Sequence, residues 1–158
     1  MKNLCNVLAC VCITLFSLGA SAQTNKSVYN EPDQKKPLLF AGLPERIPVS
    51  IEEINGLFKS DRGEVVSLNS ADARVPARIE GELVYKASEY NNRIQNIAIR
   101  STNFNGARFT ISKYEDEHGV VTYSGRIISF KHGDAYELKT ESGKLVLVKK
   151  KIQSLVTE

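Results

Sequence analysis

His118 and His132 are the side chains best suited to chemistry in this 158-residue chain. Each stands in a polar run with a glycine after it and carboxylates nearby, Asp116 and Glu117 beside the first and Asp134 beside the second. Imidazole with carboxylate is the donor set of a hard-metal or zinc site and of a general acid–base pair. Glu115, Asp116 and Glu117 form a carboxylate cluster, but glycoside cleavage needs two carboxyls facing each other across a cleft at about 5 to 9.5 Å, normally from different elements. Serines are frequent, yet no Gly-x-Ser-x-Gly elbow places one as a nucleophile, and Ser124-Gly125 and Ser142-Gly143 read as strand or turn pairs. Glycine-rich phosphate and dinucleotide fingerprints are absent from the sequence.

The elements that would position these groups argue against a shared site. From Ala107 to Val148 apolar and polar residues alternate with the period of two of half-buried strands, interrupted at 115–119, 131–134 and 142–144. That pattern predicts a four-stranded antiparallel meander, with Phe109, Ile111, Tyr123, Ile127, Tyr136 and Leu138 on one buried face. Successive turns of a meander lie at opposite ends of the sheet, roughly 17 to 20 Å apart, so the two histidines do not meet on one ion. The expectation is no metal, no cofactor and no catalytic set.

Upstream, Ser50 stands three residues before Glu53, a capping-box spacing, and Ile51, Ile54, Leu57 and Phe58 follow on one helical face; the helix ends by Lys59 or Ser60. The Leu38–Pro48 stretch carries prolines and a glycine that forbid a long helix and favour an extended entry or edge strand. Further strands are expected at 64–68, 78–86 and 94–100, with Ile79, Leu83 and Tyr85 sharing a face and Gly81 marking a bulge. The phase change from Ile127 to Ile128 and Phe130 calls for a second bulge or a doubly buried strand. About seven strands result. The fold class is mainly β, an antiparallel meander forming a partly closed barrel or a two-layer sandwich with one short covering helix.

The start of the chain reads as an address. Lys2, the apolar run 4–18 and Ala20-Ser21-Ala22 have the layout of a secretory signal cleaved before Gln23. The apolar run is shorter than the about 20 residues of a membrane-spanning helix. Cys5, Cys10 and Cys12 all lie in this segment, so the exported chain would carry no disulfide and no thiolate. Residues 23–37 read as a flexible polar leader and 38–158 as one β-rich domain. The expected location is the periplasm or the exterior, without stable membrane insertion.

The net charge of +3 falls to near +2 without Lys2, which selects no charged partner. Lys149-Lys150-Lys151 reads as the guard of a terminal edge strand and not as a nucleic-acid patch. Aromatic residues beside turns are the remaining signal. Tyr90, Phe104 and Tyr114 flank polar turns, where amphipathic rings suit recognition, and are the expected binding residues for a protein or glycan at the cell envelope. The function class is therefore a non-enzymatic binding module. A barrel-type carrier of a small apolar ligand and, last, a small secreted hydrolase are the alternatives.

Overall fold

The computed structural model describes residues 36–156. A strap, 36–45, leads into β1 (Arg46–Val49), α1 (Ile51–Lys59), β2 (Val65–Asn69), β3 (Arg78–Glu89), β4 (Ile94–Ser101), β5 (Arg108–Glu115), β6 (Val121–Ile128), β7 (Asp134–Glu141), β8 (Lys144–Lys151) and a terminal turn of helix, α2 (Ile152–Val156). The strands form one antiparallel sheet in the order β1-β8-β7-β6-β5-β4-β3-β2. It curls into a half-barrel; the two-layer sandwich is not formed.

From β2 to β8 each strand pairs with its neighbour in sequence, because the turns are short and carry the residues that tight turns demand. Ser142 and Gly143, with φ of 49° and 77°, make the β7–β8 turn, and Gly106, with φ of 77°, takes the left-handed position expected of the Asn105-Gly106 pair. The expected inward face is observed: Phe109, Ile111, Ile127, Tyr136 and Leu138 are buried, joined by Ile97, Ile99, Leu145 and Leu147. Helix α1 starts where the capping spacing places it, with Glu53 N donating to Ser50 Oγ at 3.1 Å. It buries Ile54, Leu57 and Phe58 against the sheet.

The two outermost strands, β1 and β2, almost meet. Beyond β2, Ala71 N donates to the carbonyl of Pro48 in β1 at 2.8 Å, and Glu53 of α1 accepts from Asn69 N at 3.1 Å. Pro48 suits this edge because it has no N–H to leave unpaired. Paired residues followed from Val65 through Glu82, Arg100, Arg108, Ile128, Ala135 and Lys150 end level with the residues just before β1. The seam contact lies roughly ten residues off that line, the stagger that tilted strands need to curl into a barrel.

Each mouth of the half-barrel is covered. At the end with the β3–β4, β5–β6 and β7–β8 turns, α1 crosses the opening: Tyr123 donates to Asn55 Oδ1 at 2.7 Å, and Lys86 Nζ donates to the carbonyl of Ser60 at 2.8 Å. At the other end the strap inserts Phe40 edge-on against Phe104 and Tyr136. The backbone amides of Leu39 and Phe40 both donate to the carboxylate of Asp134, at 2.7 and 2.8 Å. Docking begins within the expected leader, since Pro37 accepts from Gly133 N and Lys36 Nζ donates to the carbonyl of Phe130. The expected signal segment and the rest of the leader lie outside the described residues.

Four expectations need correction. Tyr85 does not share the inner face: the register slips between Leu83 and Tyr85, which turns Tyr85 outward, 53% exposed. The bulge is thus beyond Gly81, whose own role is close approach. A Cβ there would lie 2.4 Å from the Arg100 carbonyl oxygen. No bulge occurs at Ile127–Ile128; β6 simply ends at Ile128, and Phe130 stands in the following turn, exposed. Finally, β8 is not an edge. It is flanked by β1 and β7, and Lys149 folds inward, 3.3 Å from Glu45 and 6.0 Å from the centre of the Tyr136 ring.

One irregularity opens the sheet from outside. β5–β6 and β7–β8 pair along their full lengths, whereas β6 and β7 pair only from Gly125–Leu138 to Ile128–Ala135. Val121–Ser124 of β6 therefore runs on without β7 beside it. Gly125 lies at the fork, where a Cβ would meet the Thr110 carbonyl oxygen at 2.6 Å.

Candidate binding surface

The chemistry-bearing residues turn out to be builders of turns. Asp116 Oδ1 accepts from the amides of His118 and Val120, each at 2.8 Å, and Gly119 takes φ of 78° to close the loop. That is the side-chain-to-backbone bonding for which aspartate is favoured in turns. His118 belongs to the β5–β6 turn and His132 to the β6–β7 turn, at opposite ends of the sheet as their spacing requires. Among the described residues no group of three or more His, Cys, Asp or Glu side chains is placed to hold a metal.

A serine–histidine pair does exist, one that sequence inspection passed over. Ser129 Oγ lies 2.8 Å from His132 Nδ1. Nucleophilic attack requires a substrate carbonyl at the hydroxyl and an acid behind the imidazole. Ser129 is fully buried, and the nearest acid in sequence, Asp134, has its carboxylate oxygens engaged by the strap amides. The pair fastens a turn, satisfying a buried hydroxyl.

A groove of about 620 Å³ lies between the end of β1, the first turn of α1, residues 71–74 and the β7–β8 turn. Arg74 and Lys144 line it beside Glu52 and Asp72. Arg74 donates to Asp72 through Nε at 3.1 Å and Nη2 at 2.9 Å, which holds the Asp72 carboxyl below the usual carboxylate range. With its charges balanced, the groove selects no ion.

The three expected binding residues separate into two groups. Phe104, in the β4–β5 turn, is half-buried against Phe40 with ring centroids 5.2 Å apart, at the strap end. Tyr90 and Tyr114 are at the other end, Tyr90 in the β3–β4 turn and Tyr114 paired with Ile94 as that turn closes. They are 72% and 47% exposed, and Val120 of the β5–β6 turn and Val121 at the start of β6 are exposed at the same end. The β3–β4 turn is unusual: Tyr90, Asn91 and Asn92 all have positive φ, at 50°, 56° and 69°. Asparagine tolerates this conformation, but tyrosine does so at a cost, and strain of that kind concentrates at functional sites. Ser88 Oγ to Asn92 Oδ1 at 2.5 Å and Gln95 Nε2 to the Asn92 carbonyl at 3.0 Å hold the turn in place. Composition alone carried no sign of it beyond the Asn-Asn pair.

No protein-family model matches the chain, and comparison with curated proteins and with solved structures finds no match. Among the described residues no helix is long and apolar enough to cross a membrane.

Proposed function

We propose that this chain is an exported, non-enzymatic binding module whose contacts centre on the end of the half-barrel that carries Tyr90 and Tyr114, with a protein or glycan of the cell envelope as partner. The observation that carries the reading is Tyr90 itself. A large ring is held out to solvent by a backbone conformation that disfavours tyrosine, with no packing gain to offset the strain. Tyr114 and Val120 are exposed at the same end, and amphipathic rings beside exposed aliphatic groups are characteristic of recognition surfaces. The address rests on the secretory-signal layout of residues 1–22.

Other observations weigh in the same direction. Phe40, Phe109, Ile127, Tyr136 and Leu147 occupy the interior of the half-barrel, which favours surface binding over carriage of an internal ligand. Asp116 and His132 are bonded within turns and Asp134 holds the strap, which favours structural roles for them. Phe104, anchored to Phe40, supports the strap end and is not joined to the Tyr90 surface.

Capture of envelope components by the immobilised exported protein tests the proposal. Tyr90→Ala and Tyr114→Ala should leave melting nearly unchanged and reduce capture, whereas Tyr123→Ala should lose it only by unfolding. Turnover of a glycan, peptide or ester by the purified protein, abolished by Glu117→Gln or His118→Ala, would replace the binding reading with an enzymatic one.

A further inference from the structure

The outer face of β5 and β6 carries a track of neutral hydroxyls. Directly paired residues there are Thr110 with Arg126, Ser112 with Ser124, and Tyr114 with Thr122. All six point away from the core, since Phe109, Ile111 and Ile127, which alternate with them along the two strands, are buried. The track spans four residue steps on β5, about 14 Å.

At the fork where β6 leaves β7 the track deepens into a groove of about 270 Å³, lined by Thr110, Ser112, Ser124, Gly125, Arg126 and Glu137 with Leu138 beneath. The splay of the strands creates this concavity. Its closed end presents one guanidinium and one carboxylate, Arg126 and Glu137, paired directly across the strands. Glu137 is largely shielded; its Oε2 makes no well-formed hydrogen bond and has Lys139 Nζ at 3.0 Å. At the open end the Tyr114 ring stands half-exposed.

We propose that this groove and track bind a neutral oligosaccharide laid along β5 and β6. Resting on the binding-module reading, this inference names the ligand class. The closed end holds Arg126, Glu137 and Lys139, a single net positive charge, and the hydroxyl positions carry none, so a polyanion or a charged peptide finds no run of countercharge to follow. An apolar ligand would have to desolvate four hydroxyls, those of Thr110, Ser112, Thr122 and Ser124. A neutral sugar chain matches both ends of the site. Its hydroxyls bond to serine and threonine side chains and to the Arg126–Glu137 pair, and its flat aliphatic face covers the Tyr114 ring. Ser112 is already oriented, donating to Asn96 Oδ1 at 2.6 Å and leaving its lone pairs to accept.

The test is an NMR titration of the exported protein with three neutral probes, chitotetraose, cellotetraose and maltotetraose, and with one acidic and one basic heptapeptide as comparators. At least one tetrasaccharide should shift the amides of residues 110–114 and 122–126 saturably. Tyr114→Ala should weaken that binding about tenfold or more and Ser124→Val about threefold, with Tyr114→Phe close to wild type. The proposal is overturned if no tetrasaccharide shifts these amides at about 10 mM, if the shifts map elsewhere, or if only a heptapeptide produces them. Capture of an envelope protein through Tyr90 with no glycan response would sink this inference and leave the binding-module reading standing. Loss of both would remove the two together.

Discussion

Asp134 and Phe40, 94 residues apart in sequence, are joined by a buried 2.8 Å hydrogen bond from the Phe40 amide to the aspartate carboxylate. The same carboxylate accepts from Leu39 N, so one side chain satisfies two consecutive amides of the strap. Asp134→Ala leaves a buried donor without its acceptor and should destabilise by about 1 to 3 kcal/mol. Phe40→Ala should cost about 3 to 5 kcal/mol, and the double variant less than the sum, because either change frees the strap. Denaturant titration of the four proteins measures the coupling; strict additivity would show that the strap does not depend on this bond.

The strand register makes a second prediction. Phe109→Ala and Ile127→Ala, which empty paired positions on the concave face, should each destabilise by about 2 to 5 kcal/mol. Thr110→Ala and Ser124→Ala, on the outer face, should change stability by about 0.5 kcal/mol or less. Chemical denaturation midpoints check the order, and a reversal would mean the faces are exchanged.

Alkaline pH should weaken the fold through Tyr136. Burial, with the negative charges of Glu45 and Asp134 adding to it, raises its phenol well above the ordinary value, and burial raises Tyr123 too, against the opposing hydrogen bond to Asn55. In the unfolded chain both ionise at about pH 10. Their stabilisation is therefore complete below that pH and declines as pH rises above it, because only the unfolded state releases the protons. Melting temperatures from pH 8 to 12 should fall more steeply for wild type than for Tyr136→Phe at about pH 10 and above. Parallel curves would exclude Tyr136 as the source.

The β3–β4 turn predicts a trade. Tyr90→Gly removes the steric cost of the left-handed conformation and should stabilise by up to about 1 kcal/mol while abolishing partner capture. Tyr90→Ala, which keeps a Cβ, should show the loss without the gain. If glycine also destabilises, the ring contributes packing that its exposure does not reveal.

Much of this architecture is local and so was readable from residue order. The period-two alternation specified β5 to β8, Ser50 and Glu53 specified the start of α1, and the Asn105-Gly106 and Ser142-Gly143 pairs specified turns. What escaped depends on distant partners. The strap is defined by Asp134 and Tyr136, and β1 by β8. The slip falls between Leu83 and Tyr85, where Leu83, Val84 and Tyr85 all suit a strand, so composition carries no sign of it, and it alone decides that Tyr85 faces out. The candidate surface was half visible: aromatic residues beside turns are plain in the sequence, but only the topology sends Phe104 to one end and brings Tyr90 and Tyr114 to the other.

The pairing of β1 with β8 has a consequence in time. Hairpins from β2 to β8 close over short loops and can form as the chain lengthens, whereas β1 must wait for the last strand to exist and then pay the loop-closure entropy of the whole domain. The strap waits likewise for β7. A chain still under synthesis thus holds a growing meander that lacks its final clasp, and commitment to the finished structure comes only once Lys144–Lys151 is free to receive the first strand.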